Sequence, residues 1–220
     1  MKGIQIYERD KKRIITFLRC GHRYIKEIVN KKGQPVFKQV DPSLDDNSNA
    51  ILFPYTGKTF FILREPKEHL MSTIIFTIGS WHMESIRQTF TDFYLLKPEE
   101  KLKMVVDEIY YQRNNHHWVP KRYERIYKIL CDLPPKQDYD FVILNNLKKF
   151  IEDRFGIIEE YNSDKYGYQM YTKDEILQWI NQYTSKNYEK LLRYCDQETY
   201  YYNLLINKKI KKELCHDFIP

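Results

Sequence analysis

Residues 70–96, LMSTIIFTIGSWHMESIRQTFTDFYLL, carry the strongest local pattern in the chain. Within them, residues 73–78 are apolar and largely β-branched, which predicts a buried strand ending at Gly79. Pro98, followed by two glutamates, predicts a later helix start, because proline suits the first helical position and carboxylates suit the positive end of the helix dipole. Between these points, apolar side chains at helical spacing predict another helix: Ile86, Phe90, Phe93 and Tyr94.

The residues before this stretch are predicted to form mainly strands. Apolar runs separated by turn signals mark five segments: residues 4–6, 14–18, 36–40, 51–53 and 60–63. The last two segments predict a hairpin, since Pro54 and Gly57 lie between them. Residues 24–29 are too few to decide between a strand and a helix.

Helices are predicted to dominate from about residue 80 onward. Apolar stripes at helical spacing are Leu102, Val105, Val106 and Ile109; Tyr123, Ile126, Tyr127 and Leu130; Leu147, Phe150, Ile151 and Phe155; Ile176, Trp179, Ile180 and Tyr183; and Tyr188, Leu191, Leu192 and Cys195. Gly156 suits a helix end, and Thr172 with Glu175 forms a capping box. The predicted fold class is therefore mostly α with a smaller β portion, an α+β fold.

Three regions are predicted along the chain. Residues 1–156 form a core, in which the strand-prone N-terminal part packs with helices. Residues 157–171 are polar and rich in tyrosine, and are the best candidate for a hinge. Residues 172–220 form a helical tail with its own apolar face, which we expect to dock on, or exchange with, a neighbouring molecule.

Composition and charge narrow the class of protein. Hydrophobic residues make up 42% of the chain, which indicates a globular protein. No apolar run reaches the roughly 18 residues that a membrane span needs, and the first residues lack a signal-peptide pattern, so we expect an intracellular protein without a membrane partner. The 36 Lys and Arg residues exceed the 30 Asp and Glu residues by a net charge of +6. Basic clusters at residues 11–13, 31–32 and 208–212 fit solvated faces, nuclear localisation or nucleic-acid contact.

The residue usage is skewed towards tyrosine, with 19 of these residues against a single alanine. An AT-rich genome, such as that of many viruses and mobile elements, explains part of the skew. Tyrosine also suits contacts that are apolar at one end and wet at the other. Candidate contacts with a partner are Tyr200, Tyr201, Tyr202, Trp179 and Tyr183.

No residue pattern identifies a cofactor, a metal site or a catalytic group. The chain contains four cysteines without a CxxC pair, so they are either free buried thiols or candidates for intermolecular disulfides: Cys195, Cys215, Cys20 and Cys131. His116 and His117 fit a polar loop better than a metal site. Arg64 and His69 have a spacing found in some helical ribonucleases, but Pro66 between them argues against a regular helix. Lys58 follows Gly57 as in a phosphate-binding loop, although the upstream glycine is missing.

Residues 87–93, RQTFTDF, come after an apolar run and Trp81, and this segment resembles baculovirus polyhedrins, the occlusion-body proteins of insect viruses. The matching positions are Arg87, Thr89, Phe90, Thr91 and Phe93. The resemblance covers about 25 residues, and the composition also suits the related nudiviruses. It implies a structural protein that collects in the infected nucleus, crystallises around virions and dissolves in an alkaline gut.

Two functions are therefore predicted. The first is a non-enzymatic viral matrix protein that assembles with itself into a dense occlusion body enclosing virions and dissolves at alkaline pH. The alternative is a nucleic-acid-binding protein or nuclease of an AT-rich virus or mobile element, which the basic clusters, the tyrosines and His116 would serve.

Overall fold

A computed structural model describes residues 4–17, 19–30, 38–40, 55–90, 92–111, 121–132, 137–158, 171–183 and 185–211. Its strands are β1 (Ile4–Arg9), β2 (Lys12–Phe17), β3 (Lys38–Val40), β4 (Lys58–Leu63) and β5 (Tyr139–Ile143). They form one sheet in the order β3-β1-β2-β4-β5. Strands β2, β4 and β5 run parallel to one another, while β1 runs antiparallel to both of its neighbours.

The helices are α1 (His22–Asn30), α2 (Pro66–Ile86), α3 (Pro98–Tyr111), α4 (Arg122–Cys131), α5 (Leu147–Phe155), α6 (Lys173–Gln182) and α7 (Lys186–Ile206). Short 3-10 turns lie at Phe93–Leu95 and Leu144–Asn146. Together with the sheet, these helices confirm the predicted α+β class. The stripes predicted for α3, α4, α5 and α6 coincide with helices, and Thr172 and Glu175 form the predicted capping box.

Strand β4 occupies the centre of the core because both of its faces are covered. Phe60 and Ile62 point to one face of the sheet, where they pack with α1 and α5. Phe61 and Leu63 point to the other face, where they pack with α4 and the end of α7. A strand buried on both faces needs a continuous apolar run, and residues 60–63 supply it.

A second layer of helices packs beside the sheet. Helices α2, α3, α6 and the first half of α7 share one apolar cluster that contains Leu70, Ile74, Val105, Ile176 and Leu191. Helix α7 continues from this cluster into the cluster on the sheet. The apolar face of α6 and α7 is therefore covered within the chain, contrary to the prediction that a neighbouring molecule would cover much of it. An exchange of the tail between molecules stays a prediction, and most of the predicted hinge lies outside the described residues.

The strand predicted at residues 73–78 is wrong, because these residues lie inside α2. Glu65 accepts a hydrogen bond from the amide of Glu68 (2.8 Å), and Pro66 takes the first helical position, so the helix starts before the β-branched run. Inside the helix, the hydroxyls of Thr73 and Thr77 donate to the carbonyl oxygens four residues earlier. The helix start and this local bonding override the intrinsic strand preference of the run.

Three further local predictions differ from the structure. The helix predicted over Ile86 to Tyr94 is interrupted, because Gln88 and Asp92 have positive φ values (65° and 58°) and α2 ends at Ile86. The first arm of the hairpin predicted at residues 51–63 lies outside the described residues, and its second arm, β4, instead has parallel neighbours at both edges. Strand β5 was not predicted.

Candidate anion-binding site

The carboxyl ends of β2, β4 and β5 meet at one edge of the sheet, and each strand leads there towards a helix. Strand β2 leads into α1, β4 leads into α2, and β5 leads through a short turn into α5. In open α/β sheets, ligands bind outside the carboxyl ends of parallel strands. The amino ends of helices also carry free amides and partial positive charge, which favours anions.

The connection from β2 to α1 is a tight turn formed by Arg19, Cys20 and Gly21. The amide of Cys20 donates to the carbonyl of Phe17 (2.9 Å), and the buried hydroxyl of Thr16 donates to the carbonyl of Cys20. Gly21 has a φ of +81°, and a Cβ there would lie 2.4 Å from Cδ2 of Leu147. The turn therefore favours glycine for its backbone conformation, and a side chain at this position would also displace the side chains of Leu147 and Leu144.

Arg64 follows β4 directly and contacts this turn. Its Nη1 donates to the carbonyl of Arg19 (3.0 Å), which ties the end of β4 to the end of β2. The hydroxyl of Tyr123 donates to the carbonyl of Arg64 (2.6 Å) and accepts from its amide (3.1 Å). The buried Nε of Arg64 has no hydrogen-bond partner within the described ranges, and the nearest carboxylate oxygen, on Glu68, is 3.9 Å away.

Arg122 is the first residue of α4, and only 2% of its surface is exposed. Its guanidinium lies over the ring of Phe17 (4.6 Å), and its Nη1 lies 3.2 Å from Nδ1 of His69. Its Nη2 has no hydrogen-bond partner in the part of the chain that the structure describes. A buried cation is costly without a partner, and here it also lies at the positive end of a helix. An anion placed beside Arg122 would relieve both costs.

The thiol of Cys20 lies within the electrostatic reach of all three arginines. Burial raises the pKa of Cys20, while the positive charges of Arg122, Arg64 and Arg19 act in the opposite direction. Burial also raises the pKa of Tyr123 well above its usual value. The turn thus sits in a strongly positive environment in which the neighbouring thiol and phenol are neutral at pH 7.

The outer side of this site lies against α2. The Nε of Arg19 donates to the hydroxyl of Ser72 (3.3 Å), and the guanidinium groups of Arg19 and Arg23 lie 4.4 and 5.2 Å from the ring centre of Phe76. These four side chains are half-buried. They form a rim that combines positive charge, a hydroxyl and an aromatic ring.

One carboxylate, Glu198 of α7, lies behind the site. It is 3% exposed and accepts a hydrogen bond from the amide of Tyr123 (2.7 Å). Lys121, which precedes α4, has a left-handed conformation and offers no side-chain cap, so Glu198 caps α4 instead. Burial raises the pKa of Glu198 to about 7, against the opposing effects of the Tyr123 amide and the charge of Arg122.

The candidate disulfide residues are mostly inaccessible. Cys20 and Cys195 are free and buried, and Cys131 is free and half-buried. Burial raises the pKa of Cys195 far above its usual value, and its Sγ lies 3.7 Å from the carbonyl of Pro66. A disulfide from Cys20 or Cys195 to another molecule would require this packing to open, and both assignments stay predictions. Cys215 lies outside the described residues.

The candidate partner contacts divide into two groups. Tyr201 and Tyr202 belong to the core cluster on the sheet, so their side chains are covered within the chain. A contact of either residue with a partner stays a prediction. Tyr200 and Trp179 are half-buried, and Tyr183 is exposed.

The segment that resembles polyhedrins lies at the far end of α2 from the arginines. It follows a helix, whereas the resemblance implied a preceding strand. The ring of Phe90 stacks on that of Trp81 (5.3 Å), while Phe93 is buried. Arg87 and Thr89 are exposed, and Thr91 lies outside the described residues.

The structure places two weak sequence motifs, the pair of Arg64 with His69 and the pair of Gly57 with Lys58. Arg64 and His69 do approach one site, because Pro66 begins α2 rather than interrupting it. Lys58 lies at the amino end of β4, the opposite edge of the sheet, where it pairs with Asp138 (3.2 Å). It therefore cannot serve a phosphate-binding loop at the carboxyl edge. His116 and His117 lie outside the described residues.

A repeated signal in the sequence marks the site. Each of two apolar runs, residues 14–18 and 60–63, is followed at once by an arginine and then by a residue that suits a helix start. The pair Arg19 and Gly21 follows the first run, and Arg64 and Pro66 follow the second. Arg122 has no comparable signal, since its role depends on packing between distant elements.

Across the described residues, no group of three or more His, Cys, Asp or Glu side chains is arranged to hold a metal ion. None of the described helices is long and apolar enough to cross a membrane. Comparison with protein-family models, curated proteins and solved structures finds no match to this chain.

Proposed function

We propose that this chain binds a nucleotide through its phosphate or sulfate groups at the carboxyl ends of β2, β4 and β5. The observation that carries the proposal is the approach of Arg19, Arg64 and the buried Arg122 to one turn. Two of these guanidinium groups, those of Arg64 and Arg122, have buried nitrogen atoms without a hydrogen-bond partner in the described structure. Planar guanidinium groups match the oxygen geometry of phosphate and sulfate esters.

A nucleotide is favoured over a free anion by the rim of the site. Phe76 offers an aromatic surface beside the arginines, and Ser72 offers a hydroxyl to a second oxyanion. Nucleotide ligands commonly occupy this edge of α/β sheets, with their phosphates at a helix amino end. A ligand with two separate charged groups would contact both the turn at Cys20 and the rim at Ser72.

Arg122 is held in position for such a ligand, because its guanidinium contacts the ring of Phe17 and a ring nitrogen of His69. A cation that is already ordered binds an oxyanion without a further loss of side-chain entropy.

Isothermal titration calorimetry of the full chain tests this proposal. The ligands are ATP, ADP, adenosine 3′,5′-bisphosphate, adenosine and a short single-stranded oligonucleotide. At least one mononucleotide should bind with a Kd below about 100 μM, adenosine should bind much more weakly, and Arg122→Met should lose the binding. No mononucleotide binding, or equal affinity for adenosine, would overturn the proposal. Preference for the oligonucleotide, with affinity that falls steeply with salt, would favour the nucleic-acid-binding alternative.

A second candidate function is the self-assembling viral matrix protein. One observation favours it: the segment that resembles polyhedrins carries exposed apolar side chains, namely Ile86 (55% exposed), Phe90 (41%), Tyr94 (43%) and Leu95 (66%). Such patches commonly mark protein contacts. In this case the chain would assemble with itself around virions in the infected nucleus. Purified protein should then form salt-resistant particles at neutral pH that dissolve in alkali, and protein that stays monomeric at high concentration would exclude this role.

A further inference from the structure

Glu198 and Arg122 are linked through the first turn of α4. Arg122 is the first residue of that helix, and the amide of the next residue, Tyr123, donates to Oε2 of Glu198 (2.7 Å). The same Tyr123 carries the hydroxyl that holds the backbone of Arg64. The buried carboxylate of Glu198 thus restrains the first turn of α4. That turn carries Arg122 itself and Tyr123, whose hydroxyl contacts the backbone of Arg64.

We propose that Glu198 is a positioning residue of the anion site: by capping α4 it holds the guanidinium of Arg122 and, through Tyr123, the backbone of Arg64 in place to receive the ligand. This inference rests on the proposed function. It makes α7, whose other buried residues serve the core, a part of the binding machinery. Glu198 itself does not touch the ligand.

Charged and titratable groups surround Glu198 and influence the pKa of its carboxyl group. On α4 it faces the cation of Arg122, the phenol of Tyr123 and the carboxylate of Glu124, and on its own helix it faces the neutral thiol of Cys195. At the start of α2, Glu65 adds negative charge near Cys195, while Lys67 is paired with Asp196 (2.8 Å). The pKa of Glu198 is about 7, so the carboxylate exchanges its proton near neutral pH.

The consequence is a coupling between proton and anion binding. An anion beside Arg122 adds negative charge near Glu198, which further favours the protonated carboxyl. Anion binding should therefore take up protons at Glu198, and affinity should fall as the pH rises through 7. Glutamine keeps an oxygen that accepts from the Tyr123 amide but cannot lose a proton, whereas alanine removes the cap altogether.

The test compares wild type, Glu198→Gln and Glu198→Ala, with Asp196→Asn as a matched control. Asp196 lies on the same helix, is exposed and loses the same charge. The probe is inorganic sulfate, whose charge is constant between pH 6 and 8.5, and affinities come from amide NMR shifts of the full chain. Other titrating groups contribute to every variant, so the ratio of wild type to Glu198→Gln isolates Glu198.

We expect the wild-type affinity for sulfate to fall by about threefold to tenfold relative to Glu198→Gln between pH 6 and 8.5, which corresponds to a pKa change of up to about one unit. Asp196→Asn should follow wild type. Glu198→Ala should bind about tenfold more weakly than Glu198→Gln at every pH. Parallel profiles for wild type and Glu198→Gln, or unchanged affinity in a folded Glu198→Ala, would overturn the inference while leaving the proposed function intact.

An NMR measurement without ligand distinguishes a failure of the proposed function from a failure of the inference about Glu198. The Nε–H resonance of Arg122 should shift with a midpoint near pH 7 in wild type and Asp196→Asn, and should not do so in Glu198→Gln. If wild type binds no sulfate and no nucleotide, the proposed function fails, and this resonance alone decides whether Glu198 positions Arg122. If Glu198→Ala does not fold, Glu198→Gln still decides the outcome, and a resonance that ignores Glu198 overturns the inference.

Discussion

Replacing Arg122 by methionine should weaken anion binding strongly without a large loss of stability. Methionine matches most of the volume of arginine and keeps contact with the Phe17 ring, so the change leaves no large cavity. It removes a buried guanidinium with an unpartnered nitrogen and a location at the positive end of α4. The variant therefore tests whether Arg122 is needed for anion binding, for the stability of the fold, or for both.

The magnitudes can be worked from the contacts. Burial of a charge costs several kcal/mol. Against this cost, the contact with Phe17 contributes about 1 kcal/mol and the hydrogen bond to His69 about 1.5–3 kcal/mol. Loss of Arg122 also removes the positive charge that offsets part of the burial of Glu198. The net change in the free energy of unfolding should therefore lie between about −1 and +2 kcal/mol. For a chain of 220 residues, a gain of 1 kcal/mol corresponds to a rise of about 2–4 °C in Tm.

The affinity should change in the opposite direction. Loss of a charge-assisted hydrogen bond worth about 1.5–3 kcal/mol weakens binding of a nucleotide by roughly 10- to 150-fold. Calorimetry gives the affinity and differential scanning calorimetry gives Tm, with Arg125→Met as a matched control because Arg125 is exposed on the same helix. A fall of more than about 5 °C in the Tm of Arg122→Met, or nucleotide affinity equal to wild type, would refute the reasoning.

Three further predictions follow from the fold. Gly21→Ala should lower the free energy of unfolding by more than about 2 kcal/mol in urea denaturation, because its Cβ would meet the side chain of Leu147. Gly156→Ala, at a φ of +65° with open space around it, should cost only about 1 kcal/mol, and equal losses for the two variants would contradict this steric explanation. Thr172→Ala should cost about 1 kcal/mol in the same assay by removing the capping box of α6, and no loss would show that the cap is not needed. Burial raises the pKa of Tyr7 to about 12, so its stabilising contribution is complete below about pH 10 and is lost as the pH rises from about 10 to 12. Urea titrations at about pH 9, 10.5 and 12 should therefore show that Tyr7→Phe loses less stability with rising pH than wild type does.

The helices that the sequence predicts well are those whose apolar residues form one stripe, with polar residues on the opposite face. Helices α3, α4 and α5 have such stripes, and their ends are marked by residues such as Pro98 and Gly156. Helix α2 was predicted poorly because it lies between several elements. Its apolar residues surround the axis, so the helical period is weak and β-branched residues dominate the local signal.

The candidate site could be predicted only in part, since its residues come from distant positions. Arg19 and Arg64 are 45 positions apart, and each follows a recognisable strand, so the parallel pairing of β2 and β4 would have brought them together. Recognising that pairing required a crossover instead of a hairpin. Arg122 and Glu198 could not be found from local patterns, because a buried charge is identified only by what packs around it.

The route of α7 through both apolar clusters has a consequence for synthesis of the protein. Among the described elements α7 is the last to leave the ribosome, yet it covers the sheet and supplies the cap of α4. A nascent chain that lacks α7 exposes apolar side chains of β2 and α4 and leaves the Tyr123 amide unpaired. Such a chain is expected to bind chaperones through its exposed apolar side chains. It also lacks Glu198, which caps α4 at the proposed anion site. Ligand binding should therefore begin only after translation has passed Glu198, so that an incomplete product stays inactive.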